Sequence, residues 1–258
     1  MKITLLQSDI VWCSPEENIR IAGEMIAGAP KSDLYVLPEM FTTGFCMTPS
    51  EAAEPAGGIG FEWMRRTAMT TGSAIAGSIA VTEGGEYYNR FYFFYPDGTF
   101  VKYDKYHLFS YSGEDKIYTA GTERVIIEYM GVRILPIICY DLRFPVFIRN
   151  RKDYDLILCV ANWPEVRRNP WVVLTDARAI ENQCYVAAVN RAGTDQWGEY
   201  TGDTRLIDPY GKTVVKCKER VADYATADLD MGMLEEFRKK FPALDDADDF
   251  ILKKRDEQ

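Results

Sequence analysis

Three polar residues in this 258-residue chain each stand just beyond a predicted strand. Glu39 follows Leu34-Tyr35-Val36-Leu37, Lys105 follows Thr99 to Tyr103, and Cys139 follows Ile134-Leu135-Pro136-Ile137-Ile138. In α/β folds, ligands gather at such strand ends. A carboxylate can take and return a proton, an ionised thiol can attack a carbonyl carbon, and an ammonium can steady developing negative charge. Each residue alone also has a plainer reading: a Glu or Lys at a strand end is ordinarily a solvated loop charge, and a Cys after an apolar run is ordinarily packing. The single histidine, His107, narrows the field. A two-His metal site cannot be built from it, and any Ser/His or Cys/His catalyst would have to use it.

Around these residues three words appear in order: Pro38-Glu39-Met40-Phe41-Thr42-Thr43-Gly44-Phe45, then Lys102-Tyr103-Asp104-Lys105-Tyr106-His107-Leu108-Phe109, then Ile138-Cys139-Tyr140-Asp141-Leu142-Arg143-Phe144-Pro145. Gly113-Glu114, Asn162-Trp163-Pro164, Arg178-Ala179-Ile180-Glu181-Asn182 and Asn190-Arg191-Ala192-Gly193 complete the set. Together, from Ile3 to about Asp228, they resemble the nitrilase superfamily of carbon–nitrogen hydrolases. The resemblance implies a single-domain α/β fold, an αββα four-layer sandwich, and subunits that pair through helices. It also implies a Glu39-Lys105-Cys139 triad. Cys139 would be the nucleophile, Glu39 the general base, and Lys105 with the backbone N–H of Tyr140 the donors to the oxyanion.

Glu114 resembles an extra glutamate of the family that would orient the lysine or help place the substrate; a plain loop carboxylate is an equal reading. By position Phe41, Thr43 and Trp163 are expected on the pocket wall. Arg143 could bind a substrate carboxylate or tie the post-cysteine turn to Asp141, and the structural role is preferred. His107 reads as structural, and the chemistry calls for no metal and no cofactor. The motifs look closest to the omega-amidase branch, whose members hydrolyse 2-oxoglutaramate and 2-oxosuccinamate, so the expected partners are a small amide and water. An N-carbamoyl amino acid amidohydrolase or a nitrilase would use the same triad, and an inactive binding protein on this fold is the rival from outside enzymology.

The elements that must position these residues follow from patterning. Ile3 to Gln7 reads as a strand, and Ser14-Pro15-Glu16-Glu17 supplies an N-cap, a first-turn proline and a Glu three residues after the cap, so a helix should run to about Ala27. Leu34 to Leu37 (strand), Phe61 to Thr70 (helix) and Ala74 to Val81 (strand) complete a βαβαβ order. Strands are expected at 87–95, 99–103, 125–129, 132–138, 156–161 and 185–190, with a helix over 170–183 between the last two. A last β section covers 205–207, 213–216 and 224–227. The domain should span 1–244. The charged tail 245–258, around Phe250-Ile251-Leu252, is either a disordered end or an arm that docks on a partner subunit of a homodimer.

Composition sets the outer bounds. The chain is 47% hydrophobic and 13% aromatic, too rich in aromatics for a disordered protein. Its net charge of −9 gives no global field for nucleic acid. The N-terminal apolar run is too short for a signal segment, and no window approaches the roughly 20 apolar residues of a membrane span. Six cysteines without a CxxC pair read as free thiols in a reducing compartment, hence a cytoplasmic protein.

Overall fold

Runs such as Leu34 to Val36 and Ala74 to Val81 are apolar at nearly every position, so strands built from them must bury both faces. The computed structural model describes residues 1–253. Strand alternation sorts their side chains into two cores. Ile3, Leu5, Leu34, Val36, Phe91 and Phe93 face a second sheet. Leu6, Tyr35, Ile75, Ile79, Tyr92 and Phe94 face outward, where Ala22 and Ile26 of the helix Pro15–Gly28 and Met64 and Ala68 of the helix Ile59–Thr71 cover them.

The first sheet has the order Asp223–Asp228, Lys2–Gln7, Leu34–Val36, Ala74–Glu83, Glu86–Phe94, Phe100–Asp104, with the short strand Glu54–Pro55 also paired to Ala74–Glu83. Lys2–Gln7, Leu34–Val36 and Ala74–Glu83 run parallel, as the βαβαβ order requires. The second sheet has the order Thr213–Lys216, Arg205–Ile207, Tyr185–Asn190, Leu156–Ala161, Val132–Ile138, Ile127–Tyr129, and its middle three strands are parallel. The helix Arg168–Asn182 connects two of them and buries Trp171 and Ala179. The C-terminal helix Met231–Lys240 adds Leu234 to the same core. Helix, sheet, sheet and helix therefore stack as four layers of one α/β domain.

Several local expectations change. Pro15 does open the first helix, but the Ser14 side chain makes no capping bond, and Glu17 turns instead to Arg20 three residues on. The helix Met231–Lys240 and the hairpin Ala192–Asp195/Gly198–Thr201 join the expected elements. The tail folds back on its own chain as far as it is described: Phe250 lies under the Arg151 guanidinium at 4.5 Å, and Leu252 packs at the margin of the main core. Of the three apolar tail residues Ile251 stands in solvent, and Phe250 and Leu252 are half-buried. Residues 254–258 of the expected arm lie outside the described residues. Among the described residues all six cysteines are free, and no helix is long and apolar enough to cross a membrane.

Candidate active site

Glu39 lies just past the strand Leu34–Val36, where Met40 takes a φ of +43°. A non-glycine residue in the left-handed region is costly unless its surroundings hold it there. Here the Met40 N–H donates to Ser78 Oγ at 2.9 Å. The Glu39 carboxylate is fully buried and meets only donors. Oε1 accepts from Asn89 Nδ2 at 2.7 Å and from Lys105 Nζ at 3.0 Å, and Oε2 accepts from the Asn162 N–H at 2.7 Å. The Asn162 side-chain amide donates to the Glu39 carbonyl at 2.5 Å. A buried charge is tolerated when it is paired and hydrogen-bonded in this way.

Lys105 follows the strand Phe100–Asp104, and its N–H donates to the Asn89 carbonyl at 3.0 Å. Its ammonium sits between two carboxylates, 3.0 Å from Glu39 and 3.0 Å from Glu114 Oε2. Glu114, also fully buried, accepts from the Phe109 N–H at 2.5 Å. Glu114 therefore holds the lysine and is no solvated loop carboxylate. Burial disfavours the Lys105 charge, but Glu114 and Glu39 outweigh it and raise the ammonium above its ordinary value. Burial raises the Glu114 carboxyl, and Lys105 offsets this only in part.

Cys139 begins the short 3-10 turn Cys139–Arg143 at the end of the strand Val132–Ile138, with a φ of +47°. Asp141 pins this strained turn. Its Oδ2 accepts from the Ile138 N–H at 2.9 Å and from the Tyr103 hydroxyl at 2.7 Å. Its Oδ1 accepts from the His107 N–H at 2.8 Å and lies 2.8 Å from His107 Nδ1. The His107 ring stacks on Phe144 with centroids 3.7 Å apart, which places the histidine in the scaffold. Burial and the Glu39 charge push the Cys139 thiol well above its ordinary value, while Lys105 pulls it down. Tyr140, second in the turn, has one of the early N–H groups that a helical turn leaves without an internal acceptor.

Part of this cluster borders a cavity of about 390 Å³. Lys105, Cys139, Tyr140, Arg143 and Trp163 all lie on its wall. The expectation for Phe41 and Thr43 is corrected. Beyond the Met40 turn, Phe41 returns to the outer core and packs on Trp63 at 5.6 Å, and Thr43 is buried with its hydroxyl on the Gly44 carbonyl at 2.9 Å. The preferred role of Arg143 is corrected too. Asp141 is filled by Tyr103, Ile138 and His107, and the Arg143 guanidinium instead lies over the Trp163 ring at 5.3 Å.

The sequence reading did not single out Phe45, Phe109, Arg167, Trp197 or Tyr200 on the same wall, nor Asn89 beside the base. Trp197 belongs to the turn and Tyr200 to the second strand of the hairpin 192–201, which the Asn190-Arg191-Ala192-Gly193 motif carries. Asn190 Oδ1 accepts from the Trp163 N–H at 2.7 Å, and Arg191, fully buried, pairs with Asp195 at 2.8 Å under the Tyr200 ring. Gly193, at φ +86°, has no room for a Cβ, which would fall 1.9 Å from Asp9 Oδ1. Among the described residues no cluster of three His, Cys, Asp or Glu side chains is assembled for a metal ion.

The sequence signature of the carbon–nitrogen hydrolases spans residues 2–239. The chain is 47% identical to omega-amidase YafV of Escherichia coli (strain K12), covering 98% of both chains. It is 37% identical to the 2-oxoglutaramate amidase of Bacillus subtilis (strain 168), covering 95% of this chain and 96% of that one. In structure it matches XC1258 of Xanthomonas campestris, a CN-hydrolase superfamily protein solved with an arsenic adduct in its active site. The TM-score is 0.95 at 41% identity, over 98% of this chain and 99% of that one.

Proposed function

The chain belongs to the carbon–nitrogen hydrolase family, and from that premise we propose that it is an omega-amidase, a thiol amidohydrolase that cleaves the terminal amide of small dicarboxylate monoamides such as 2-oxoglutaramate and 2-oxosuccinamate. The observation that carries the reading is that Lys105 and Cys139 line one cavity while Glu39, from a third strand end, pairs with Lys105 at 3.0 Å. Relatives named omega-amidase and 2-oxoglutaramate amidase support the substrate class.

In this reading Glu39 takes the thiol proton as Cys139 Sγ attacks the amide carbonyl, so no free thiolate has to persist in a buried site. The carbonyl oxygen gains the negative charge, and Lys105 Nζ with the Tyr140 N–H receives it. Collapse breaks the C–N bond. The proton held by Glu39 goes to the nitrogen, which leaves as ammonia, and the acyl group remains on sulfur as a thioester. Glu39 then draws a proton from water, the hydroxide equivalent attacks the thioester, and the carboxylic acid departs as Cys139 regains its proton. Glu114 keeps Lys105 aimed through the cycle. Rapid-quench mass spectrometry tests the sequence of steps: the chain should gain the mass of substrate minus ammonia, and a Cys139→Ala chain should not.

The same reading makes the protein a cytoplasmic homodimer. Free thiols at all six cysteines suit a reducing compartment. An apolar face supports self-association: Ile180 packs over Gly211, Tyr210 packs at a tilt against Phe237 at 4.3 Å, and Phe241 adjoins Phe237 at 6.4 Å, with Ile180, Tyr210 and Phe241 all exposed. Sedimentation at micromolar concentration should give twice the 29.5 kDa chain mass; a species of chain mass alone would count against the dimer.

A further inference from the structure

The cavity wall holds three cations, Lys105, Arg143 and Arg167, and no aspartate or glutamate, in a chain whose net charge is −9. Lys105 is already matched by Glu39 and Glu114. Arg143 and Arg167 form no ion pair among the described residues, whereas the buried Arg90, Arg178 and Arg191 each have a carboxylate partner. Each free guanidinium instead rests over a ring of the same wall, Arg143 over Trp163 at 5.3 Å and Arg167 over Phe109 at 5.2 Å. A guanidinium supported by a ring keeps its in-plane N–H donors for a ligand, and its planar fork matches a carboxylate. The backbone beneath Arg167 is fixed. Its N–H donates to the Pro164 carbonyl at 3.0 Å, and its carbonyl accepts from Trp163 Nε1 at 2.6 Å. Two unmatched cations at the mouth of a site whose own carboxylates are all engaged call for an anionic substrate.

We propose that Arg167 is a specificity-determining residue, the second guanidinium of a two-arginine site that, with Arg143, holds the free carboxylate of the acyl chain while its amide end lies at Cys139. The proposal rests on the amidase reading. One guanidinium can take both carboxylate oxygens, which leaves donors of the other for an oxygen beside them, so the class selected is a short acyl amide bearing a carboxylate, with or without a 2-oxo group.

The test compares wild type, Arg167→Met and Arg167→Lys on succinamate, 2-oxoglutaramate and neutral butyramide. Calorimetric titration with succinate and a thermal melt accompany each chain. Loss of a charge-assisted hydrogen bond predicts that Arg167→Met raises KM for succinamate about 10- to 100-fold. Its kcat should stay within about threefold, its preference for succinamate over butyramide should fall in the same proportion, and Arg167→Lys should recover part of the loss. A folded Arg167→Met chain with unchanged KM and unchanged succinate affinity would overturn the proposal and leave the amidase reading standing. A wild type that binds succinate through Arg167 yet hydrolyses none of the amides would overturn the amidase reading and leave the anion site standing. A wild type that does neither would overturn both.

Discussion

The backbone N–H of Asn162 donates to Oε2 of Glu39 at 2.7 Å, joining the end of a second-sheet strand to a carboxylate carried by the first sheet. The other carboxylate oxygen is held by Asn89 and Lys105, which both belong to the first sheet or its margin. The proposed base is thus clamped from both layers of the sandwich, and its aim depends on how the two sheets pack.

Glu39→Gln should keep the fold and lose most of the rate. The amide matches the carboxylate in size, but it cannot take the thiol proton, and its NH2 end, a donor, must face another donor. Loss of general-base catalysis predicts a fall in kcat of about 10²- to 10⁴-fold with an unaltered circular dichroism spectrum. Activity within threefold of wild type would exclude Glu39 as the base.

Asn89 is the positioning residue beside that base. Its side chain donates to Glu39 at 2.7 Å and accepts from the Ser78 hydroxyl at 2.9 Å, in a strand otherwise dominated by aromatic packing. Asn89→Ala leaves buried groups unpaired, at a cost of about 1–3 kcal/mol. The variant should also lower kcat about 10-fold or more with KM little changed, because Glu39 loses the donor that aims it. A purely structural asparagine would lower the denaturation midpoint and leave the kcat of the folded chain in place.

Phe41→Ala tests the corrected pocket wall. Phe41 is core, so truncation should cost about 3–5 kcal/mol in urea unfolding while the folded fraction keeps its KM. Trp163→Ala, on the cavity wall, should alter KM as well as stability. A raised KM in Phe41→Ala at a temperature where it is fully folded would return Phe41 to the wall.

Asp155 gives a pH-dependent term in stability. It accepts from Arg133 at 2.8 Å and from Arg238 of the C-terminal helix at 2.6 Å. Burial pushes its carboxyl up, but the two arginines win and hold it below the ordinary aspartate range. A carboxyl depressed on folding stabilises fully above its unfolded value, near 3.9, and loses that contribution as pH falls through the lower folded value. The gap in urea midpoint between wild type and Asp155→Asn should therefore be wide at pH 7 and shrink below about pH 4. A gap independent of pH would show that the ion pairs contribute nothing through charge.

Much of this architecture was legible because it rests on apolar periodicity. Ile3 to Gln7, Val132 to Ile138 and Leu156 to Ala161 carry enough continuous burial to announce themselves as strands, and the three chemical residues stand at strand ends. What escaped notice has a physical reason in each case. The strands Ala192–Asp195 and Gly198–Thr201 are small, polar and glycine-rich, with no apolar alternation, so Trp197 and Tyr200 had no predicted element to bring them to the site. Phe41 was misplaced because the turn that redirects it sits at Met40, a residue with no turn signature. Arg143 was tied to Asp141 by nearness in sequence, but His107 and Tyr103, distant in sequence, fill that carboxylate first. Asn89 carried a signal that could have been read: a lone amide in a strand dominated by aromatic residues.

The most direct test of the central claim is ammonia release from 2-oxoglutaramate and succinamate by wild type and by Cys139→Ala, with glutamine and a simple nitrile in parallel. The account predicts rapid turnover of the first two by wild type and none by Cys139→Ala. Ammonia release that survives in Cys139→Ala, or a wild type that leaves both amides intact, would contradict it.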